Sequence, residues 1–449
     1  MRQTALAGLR AEISGLSAAY PLGRVISVAG GLLRVSGLSD VARLGDRVRI
    51  LTVRGAMLGE VLQLDAAALV ILPDEAAEGV ALGDPVRLLG PSEIAPSDDW
   101  IGRVVDPFGL PLDDRPLLRG PKARPLRGDP PAPACRRPLG ARLETGMAVF
   151  NTLLPIVRGQ RMGLFAGSGV GKSMLLGHLA RHMQADVVVV ALIGERGREL
   201  GEFVRHVLGP EGMARAVIVA ATSDRSALVR RRSALTAMAV AEHFRDKGRH
   251  VLLMADSITR FAEAHREVAI AAGEMPALRG FPPSTAHAIM SLCERAGPGE
   301  GGQGDITALL TVLVAGSDME EPVADILRGV LDGHVVLDRE IAERGRYPAI
   351  DLLRSVSRSL PQAASDDENR LIAQARHLLG TYARSETMVR AGLYAEGSDP
   401  ALDQAIRIWP ELDGFLAKRE PADTANSFAR LGVILRRAGA GGERMPAPR

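Results

Sequence analysis

The stretch that most constrains the fold is Ala166-Gly-Ser-Gly-Val-Gly-Lys-Ser173, a glycine-rich octapeptide between an apolar run and a helical pattern. The run Arg161–Ala166 predicts a buried strand, and leucines at helical spacing predict a helix directly after it. Glycines let successive backbone N–H groups point at one anion, so the turn predicts a phosphate cradle rather than a chance glycine-rich turn. The predicted cradle consists of Gly167, Ser168, Gly169, Val170, Gly171, Lys172 and Ser173.

Two side chains of this cradle have predicted chemical roles. Lys172 is expected to reach the β- and γ-phosphates of a nucleotide, and the Ser173 hydroxyl is expected to hold Mg²⁺. Both must follow the last glycine directly, because the glycine turn aims them at the phosphates. The sequence therefore predicts ATP and Mg²⁺ as ligands.

Two carboxylates follow apolar runs later in the chain. The run 250–255 ends at Asp256, and the run 186–193 is followed by Gly194 and Glu195. Ligands of open α/β sheets collect at the carboxyl ends of strands, so we expect Asp256 to hold the water shell of Mg²⁺ and Glu195 to be the general base. The alternatives are that Asp256 caps the next helix and that Glu195 belongs to a solvated charge run.

Composition argues against several classes of function. The 449 residues are enough for two or three domains, and a net charge of +2 gives no general basic field for nucleic acid. Cys135 and Cys293 form no C-x-x-C motif, which argues against a disulfide framework or a zinc site. The apolar runs are far shorter than the roughly 20 residues that span a bilayer. We therefore expect a cytoplasmic protein that can dock at a membrane.

The pattern along the chain predicts a multidomain fold: a small N-terminal β-barrel, a central α/β P-loop (RecA-like) domain with a parallel sheet, and a C-terminal α-helical domain. Nine prolines in 107–138 predict an extended strap, and the glycine-rich loop 297–304 is expected to be mobile. The predicted segments are an amphipathic helix at 1–20 (Leu6, Leu9, Ile13 and Leu16 on one face), the barrel at 21–90, the ATPase domain with the strap at 91–355, the helical domain at 356–435 and a disordered tail at 436–449.

Four sequence blocks occur in an order and spacing that resemble the catalytic subunits of rotary ATPases and their type III export relatives. The blocks are Gly167-Ser-Gly-Val-Gly-Lys-Ser173, Ile193-Gly-Glu-Arg-Gly-Arg-Glu199, Asp256-Ser-Ile-Thr-Arg-Phe261 and Arg346-Tyr-Pro-Ala-Ile-Asp351. Within that superfamily, the segments 208–212, 280–284 and 393–403 are similar to the flagellar protein export ATPase. The segment Gly397-Ser-Asp-Pro400 favours flagellar export over the virulence injectisome.

The resemblance implies further site residues. Tyr347 matches the tyrosine that stacks on adenine, and Tyr394 is a second aromatic for which a packing role is equally compatible. Arg358 matches an arginine finger that enters the neighbouring subunit's site, the alternative being a salt bridge within its own subunit. Arg196 matches an arginine near the γ-phosphate. The loop 271–280 corresponds to the loop that faces a central stalk, although its Gly and Pro content also fits an ordinary loop.

The resemblance also implies a function and partners. It implies a Mg-ATP hydrolase that assembles as a homohexamer and energises export of unfolded flagellar subunits. The implied partners are a regulatory stator-like protein at the N-terminal helix, a central stalk-like protein in the pore, an export gate and chaperone–substrate complexes. The implied location is peripheral, at the inner face of the cytoplasmic membrane. The alternatives are an injectisome ATPase, a rotary ATP synthase type subunit and an RNA-translocating hexamer. Residues 1–99 contain one aromatic residue, Tyr20, which argues against an RNA-stacking platform.

Overall fold

The computed structural model describes residues 19–314 and 319–439, together with Arg10 and Ile13. The chain divides into two compact units. The first comprises Met1–Arg137, Ala185–Val312 and Glu320–Val330, and the second comprises Pro138–Gln184, Leu313–Met319 and Leu331–Arg449. The predicted ATPase domain at 91–355 therefore contributes residues to both units.

The regular elements of the described residues are as follows. The strands are β1 Leu22–Ala29, β2 Leu32–Ser36, β3 Arg47–Thr52, β4 Gly55–Leu64, β5 Leu69–Pro73, β6 Pro85–Gly90, β7 Glu93–Ile94, β8 Arg103–Val105, β9 Arg124–Pro125, β10 Arg161–Ala166, β11 Val187–Glu195, β12 Ala216–Thr222, β13 Val251–Asp256, β14 Gly297–Pro298, β15 Asp305–Leu313, β16 Gly333–Leu337 and β17 Ile350–Ser357. The helices are α1 Ala148–Asn151, α2 Lys172–His182, α3 Gly197–Glu202, α4 Gly209–Met213, α5 Ala227–Arg245, α6 Ile258–Ala271, α7 Ser284–Glu294, α8 Pro322–Val330, α9 Arg339–Glu343, α10 Asp366–Arg390, α11 Pro400–Leu416 and α12 Thr424–Gly439, with a π-helix at Phe203–Leu208 and 3-10 turns at Asp98–Trp100 and Leu278–Gly280.

A closed barrel opens the first unit, with the strand order β1-β2-β5-β4-β3-β6 and antiparallel pairing. Its strands alternate between buried and exposed residues, since neighbouring side chains point to opposite faces. Along β1, Val25 is buried in the barrel core whereas Arg24 and Ile26 are exposed. The predicted barrel is confirmed.

The first unit also contains parallel strands in the order β15-β13-β11-β12-β8. The strand β11 is buried along Val187–Ile193 rather than alternating, as expected for a sheet covered on both faces. The helix α5 packs against β11, β12 and β13. It starts after Ser226, whose side chain accepts a hydrogen bond from the Val229 N–H.

The proline-rich strap 107–138 begins by covering the end of this sheet. After β8 the chain turns back, so that Pro111 pairs with Val105 and the Leu112 N–H donates to the Val104 carbonyl over 2.8 Å. The guanidinium of Arg103 forms an ion pair with Asp113 over 2.7 Å. This part of the strap therefore folds over its own edge strand.

At the start of the strap, side chains of β3 and α5 hold Pro107 and Phe108. The Phe108 ring lies between two guanidiniums, with Arg47 5.3 Å and Arg232 4.8 Å from its centroid. Arg232 and Thr236 of α5 both donate to the carbonyl of Pro107. The predicted strap thus connects the barrel strand β3 to α5 within the first unit.

The glycine-rich loop 297–304 packs closely, in contrast to the expected mobility. A Cβ on Gly304 would lie 1.9 Å from the Arg249 carbonyl oxygen, so only glycine fits there. The strap residue Arg137 donates to the carbonyls of Gly299 and Gly304 and pairs with Asp305 over 2.6 Å. The glycines therefore allow a close approach of three backbone segments.

In the second unit, β10 pairs parallel with β16, and β16 pairs antiparallel with β17. The helices α10, α11 and α12 pack on one another, and α10 also contacts β17. Ser365 and Glu368 form a capping box at the start of α10, and Asp399 caps α11. The predicted C-terminal helical domain is present, with α12 as a helix that the sequence pattern does not single out.

The two ends of the chain are partly outside the described residues. From the predicted apolar face of 1–20 the structure describes Ile13, which is exposed, while Leu6, Leu9 and Leu16 lie outside. The last helix extends to Gly439, inside the predicted disordered tail, and 440–449 lie outside the described residues. Within the described ranges, no helix is both long enough and apolar enough to cross a membrane.

Candidate nucleotide-binding site

The glycine-rich turn links the end of β10 to the start of α2. Gly169 and Gly171 have φ angles of 79° and 85°, a left-handed conformation that side chains disfavour. Val170 between them is buried and anchors the turn. Because no side chain caps α2 after Gly171, the N–H groups of its first turn face outward with the positive end of the helix dipole. This is an anion-binding geometry.

The two reactive side chains of the turn lie on the first residues of α2. Lys172 is half-buried and Ser173 is exposed. Position on the first helical turn places the ammonium and the hydroxyl on the side of the anion-binding N–H groups. The arrangement can bind a polyphosphate and supply one oxygen ligand to a hard cation.

Tyr347 lies against the same turn. A Cβ added to Gly171 would be 3.0 Å from Tyr347 Cδ1 and 3.2 Å from Cε1, so the ring borders the last glycine of the cradle. Yet 52% of this tyrosine remains exposed. An exposed ring beside a phosphate cradle can stack on the base of a bound nucleotide.

Asp256 ends β13 and is 4% exposed. The Thr311 hydroxyl on β15 donates to Asp256 Oδ1 over 2.7 Å, which orients the carboxylate. The next helix, α6, is capped by Ser257, whose side chain accepts from the Arg260 N–H. The alternative that Asp256 is the helix cap is therefore wrong.

Glu195 ends the neighbouring strand β11. Asp256 pairs with Leu192 of that strand, and a β-bulge follows between Ile193 and Glu195. Glu195 is half-buried, whereas the adjacent Arg196 is exposed, so this carboxylate is less solvated than the charge run that follows it. The two carboxylates thus lie at the carboxyl ends of adjacent parallel strands.

The two predicted arginines are both on the surface. The Arg196 side chain is 82% exposed and lies 3.7 Å from Glu199. Arg358 directly follows β17; its side chain is exposed and its N–H donates to the Asp332 carbonyl over 2.9 Å. An exposed guanidinium after a strand is compatible with a role toward another subunit. Both assignments remain predictions.

Tyr394 has a local packing role. Its hydroxyl donates to Asp403 Oδ1 over 2.7 Å and to the Asp399 carbonyl over 3.0 Å. Both acceptors belong to the segment that starts α11. This favours the packing interpretation that the sequence left open.

The predicted site residues fall on both units. The second unit carries the cradle with Lys172 and Ser173, Tyr347 and Arg358, and the first unit carries Glu195, Arg196 and Asp256. Sequence reasoning missed two supporting residues, Thr311 and Arg346. Thr311 is a hydroxyl near the carboxyl end of a mostly apolar strand, which is a signal that pattern reading could have used.

A buried histidine on α2 gives the helix below the cradle a pH-dependent stability. The pKa of His178 is lowered to about 4, first because burial disfavours the imidazolium and then because His182, Arg419 and Arg181 add positive charge. An unfolded histidine takes up its proton near pH 6.5. The stability linked to His178 is therefore fully present above about pH 6.5 and is lost as the pH falls toward about 4.

We expect the melting temperature to fall between pH 7.5 and pH 5, and His178→Gln to flatten part of that slope. His265, whose pKa is also lowered to about 4 by burial and by Arg231, and His243, whose pKa is lowered first by burial, contribute to the remainder. Calorimetry at several pH values measures the slope, with the exposed His206→Gln as the matched control. An unchanged slope in His178→Gln would contradict the assignment.

Family models match two regions of the chain. The nucleotide-binding domain of the ATP synthase alpha/beta family matches residues 146–357, and the T3SS EscN ATPase C-terminal domain matches residues 364–432. The flagellum-specific ATP synthase of Caulobacter vibrioides is 43% identical over 95% of this chain and 99% of its own length. The chain belongs to the flagellum-specific ATP synthase and type III secretion ATPase family. Its members are ATP-hydrolysing enzymes.

Other relatives of this family agree in length and fold. The flagellum-specific ATP synthase of Salmonella typhimurium is 42% identical over 96% of this chain and 97% of its own, and the type 3 secretion system ATPase of Xanthomonas euvesicatoria is 40% identical over 94% of each. The assembled ATPase EscN from the enteropathogenic E. coli type III secretion system matches with a TM-score of 0.85 and 36% identity, over 92% of this chain and all of that one. The same ATPase in complex with its central stalk EscO matches with a TM-score of 0.83.

Proposed function

We propose that the chain is a homohexameric Mg-ATP hydrolase that energises type III export of unfolded flagellar subunits at the cytoplasmic membrane. The observation that carries the proposal is the left-handed glycine turn before α2 with the exposed ring of Tyr347 against Gly171. It supports binding of both parts of a nucleotide, the phosphates at the turn and the base at the ring.

Each predicted site residue then has a chemical role. The backbone N–H groups and Lys172 bind the phosphates and stabilise negative charge on the γ-phosphoryl group. Glu195 accepts a proton from the attacking water. At the same time the water oxygen bonds to the γ-phosphorus, and the bond between that phosphorus and the leaving ADP oxygen breaks. Arg196 and Arg358 are proposed to stabilise the γ-phosphoryl charge, the second of them in a neighbouring subunit.

The oxygen donors also fit Mg²⁺. Among the described residues, no cluster of three or more His, Cys, Asp or Glu side chains forms a metal cage. Mg²⁺ is commonly held by substrate phosphates, waters and one or two protein oxygens, for which Ser173 and Asp256 are suitable. When bound, the ion neutralises phosphate charge.

Assembly and partners are proposed from the relatives. Two solved relatives are an assembled ATPase and the same ATPase with a central stalk, which supports a ring with a stalk-like protein in its pore. The loop 271–280 is proposed to face that stalk: its Met275 is exposed, and its Glu274 accepts a hydrogen bond from the Ser284 N–H over 2.8 Å. A stator-like regulator, an export gate and chaperone–substrate complexes are further proposed partners. Nucleic acid is not proposed, because residues 1–99 contain one aromatic residue, Tyr20, and so offer no platform for stacking bases.

Replacing Tyr347 by alanine tests nucleotide recognition. Loss of a base–aromatic stack costs roughly 1–3 kcal/mol, so we expect the KM for ATP to rise about 5- to 100-fold with little change in kcat. Tyr347→Phe retains the ring and is expected to behave like the wild type. Steady-state kinetics with both variants check this, and an unchanged KM in Tyr347→Ala contradicts the base-stacking role.

Complementation distinguishes flagellar export from the injectisome alternative. In cells that lack their own flagellar ATPase, we expect the chain to restore motility and flagellin in the culture medium, and Glu195→Gln to restore neither. Restored secretion by an injectisome without restored motility would favour the alternative.

A further inference from the structure

We propose that Arg346 is a positioning residue that holds Tyr347 as the platform for the nucleobase, and that Asp413 of α11 holds Arg346 in place. The inference rests on the proposed function, in which the Tyr347 ring stacks on the base. It adds a C-terminal helix to nucleotide recognition. The residues involved all lie in the second unit.

The side chain of Arg346 forms hydrogen bonds with the backbone that follows Tyr347. Its Nη1 donates to the Pro348 carbonyl over 3.1 Å, and its Nη2 donates to the Ile350 carbonyl over 2.7 Å. Arg346 itself directly precedes the tyrosine, so these bonds connect the backbone on both sides of Tyr347. The Tyr347 Cα has little freedom to shift while both hydrogen bonds are present.

The ring itself needs such support from its backbone. Just over half of Tyr347 is exposed, and a Cβ on Gly171 would come within 3.0 Å of the ring. A displacement of the backbone by about 1 Å would carry the ring into the cradle or away from it, and small errors in placement weaken binding considerably. The turn at Arg346 therefore determines how far the Tyr347 ring lies from the phosphate cradle.

Asp413 is the partner that makes Arg346 suited to this role. The Arg346 Nε lies 3.0 Å from Asp413 Oδ1, with side-chain exposures of 9% and 24%. Burial lowers the pKa of Arg346, and the Asp413 carboxylate counteracts that shift. If this carboxylate were removed, the buried guanidinium would tend to move toward solvent, because a buried charge is costly without its partner.

Lysine cannot replace this arginine. The two carbonyls accept hydrogen bonds from two different guanidinium nitrogens, and the Asp413 carboxylate lies 3.0 Å from the third nitrogen as an ion pair. A single ammonium lacks the planar fork that spans them. Arg346→Lys therefore keeps the charge and removes the geometry.

The test compares Mg-ADP with Mg-pyrophosphate, which share the two phosphates but differ in the base. Isothermal titration calorimetry gives both dissociation constants for the full-length protein. We expect Tyr347→Ala to lower the affinity ratio of ADP to pyrophosphate about 5- to 100-fold. We expect Arg346→Lys and Asp413→Asn to lower that ratio at least about 3-fold while leaving pyrophosphate binding unchanged.

The matched control is Glu411→Gln on the same helix. Glu411 pairs with Arg437 over 2.8 Å in a more exposed ion pair, and its loss is expected to leave the ratio unchanged. In the double variant Asp413→Asn with Tyr347→Ala, we expect no loss beyond that of Tyr347→Ala alone, since the two residues act through one ring.

The outcomes distinguish the base-stacking role of Tyr347 from the positioning role of Arg346 and Asp413. An unchanged ratio in Tyr347→Ala overturns the base-stacking role on which the inference rests. A lowered ratio in Tyr347→Ala with normal ratios in Arg346→Lys and Asp413→Asn overturns the positioning role alone. Equal losses for ADP and pyrophosphate also overturn it, because they indicate a disturbed cradle rather than a displaced ring.

Discussion

Replacing Arg358 by alanine is expected to lower the ATPase rate of the assembled protein by roughly 10³- to 10⁵-fold, with nucleotide binding and assembly intact. The side chain is exposed after β17, and the proposal is that it acts in the site of a neighbouring subunit. An arginine supplied from a neighbour stabilises transition-state charge and contributes nothing to a dilute monomer. Activity per subunit should therefore rise steeply with protein concentration in the wild type and not in Arg358→Ala.

Mixing variants shows whether the arginine acts between subunits. Each mixed ring of Arg358→Ala and Glu195→Gln subunits has some interfaces that join an intact base to an intact arginine. Partial activity should return, while either variant alone stays inactive. A mixture that remains inactive although rings form, or a dilute monomer that is fully active, would assign Arg358 to its own subunit, where an exposed salt bridge contributes at most about 1 kcal/mol.

The second large effect is expected from Glu195→Gln, which should bind Mg-ATP nearly normally and lose roughly 10²- to 10⁴-fold in kcat. The amide has the shape of the carboxylate but does not accept the proton of the attacking water. Lys172→Ala is the informative contrast, because loss of its ammonium should reduce nucleotide affinity itself. Single-turnover hydrolysis and equilibrium binding separate the two variants.

Two results would contradict this assignment. Wild-type hydrolysis by Glu195→Gln would exclude Glu195 as the base. Loss of Mg-ATP binding in the same variant would indicate a structural role at the end of β11. Arg198→Gln, a nearby exposed substitution, is the matched control and is expected to retain activity.

Much of the fold follows from local sequence signals. The strand β10 has its predicted bounds, because an apolar run stops there directly at the glycine-rich turn. The ends of β11 and β13 also follow, since an apolar run that stops at a carboxylate marks the end of a buried strand. These predictions depend on neighbours within a few residues.

The parts that were not predicted depend on distant contacts. Tyr347 and Gly171 approach each other through the pairing of β16 with β10 and β17, and the sequence alone connects them only through the family resemblance. Likewise, the role of Arg346 depends on two carbonyl positions and on α11. Glycine content suggested a mobile loop at 297–304, whereas the close approach of Arg249 and Arg137 explains the same glycines. Composition does not separate these causes.

The strap after β8 also affects the solubility of crowded subunits. An edge strand offers unpaired N–H and C=O groups on which another chain can add as a β-strand and begin aggregation. Here the edge strand is three residues long, and the chain itself returns to occupy Val104 and Val105 through Leu112 and Pro111. Proline has no N–H to donate, so the covering segment provides little template of its own. The returning chain thus keeps this edge of the sheet from pairing with another molecule.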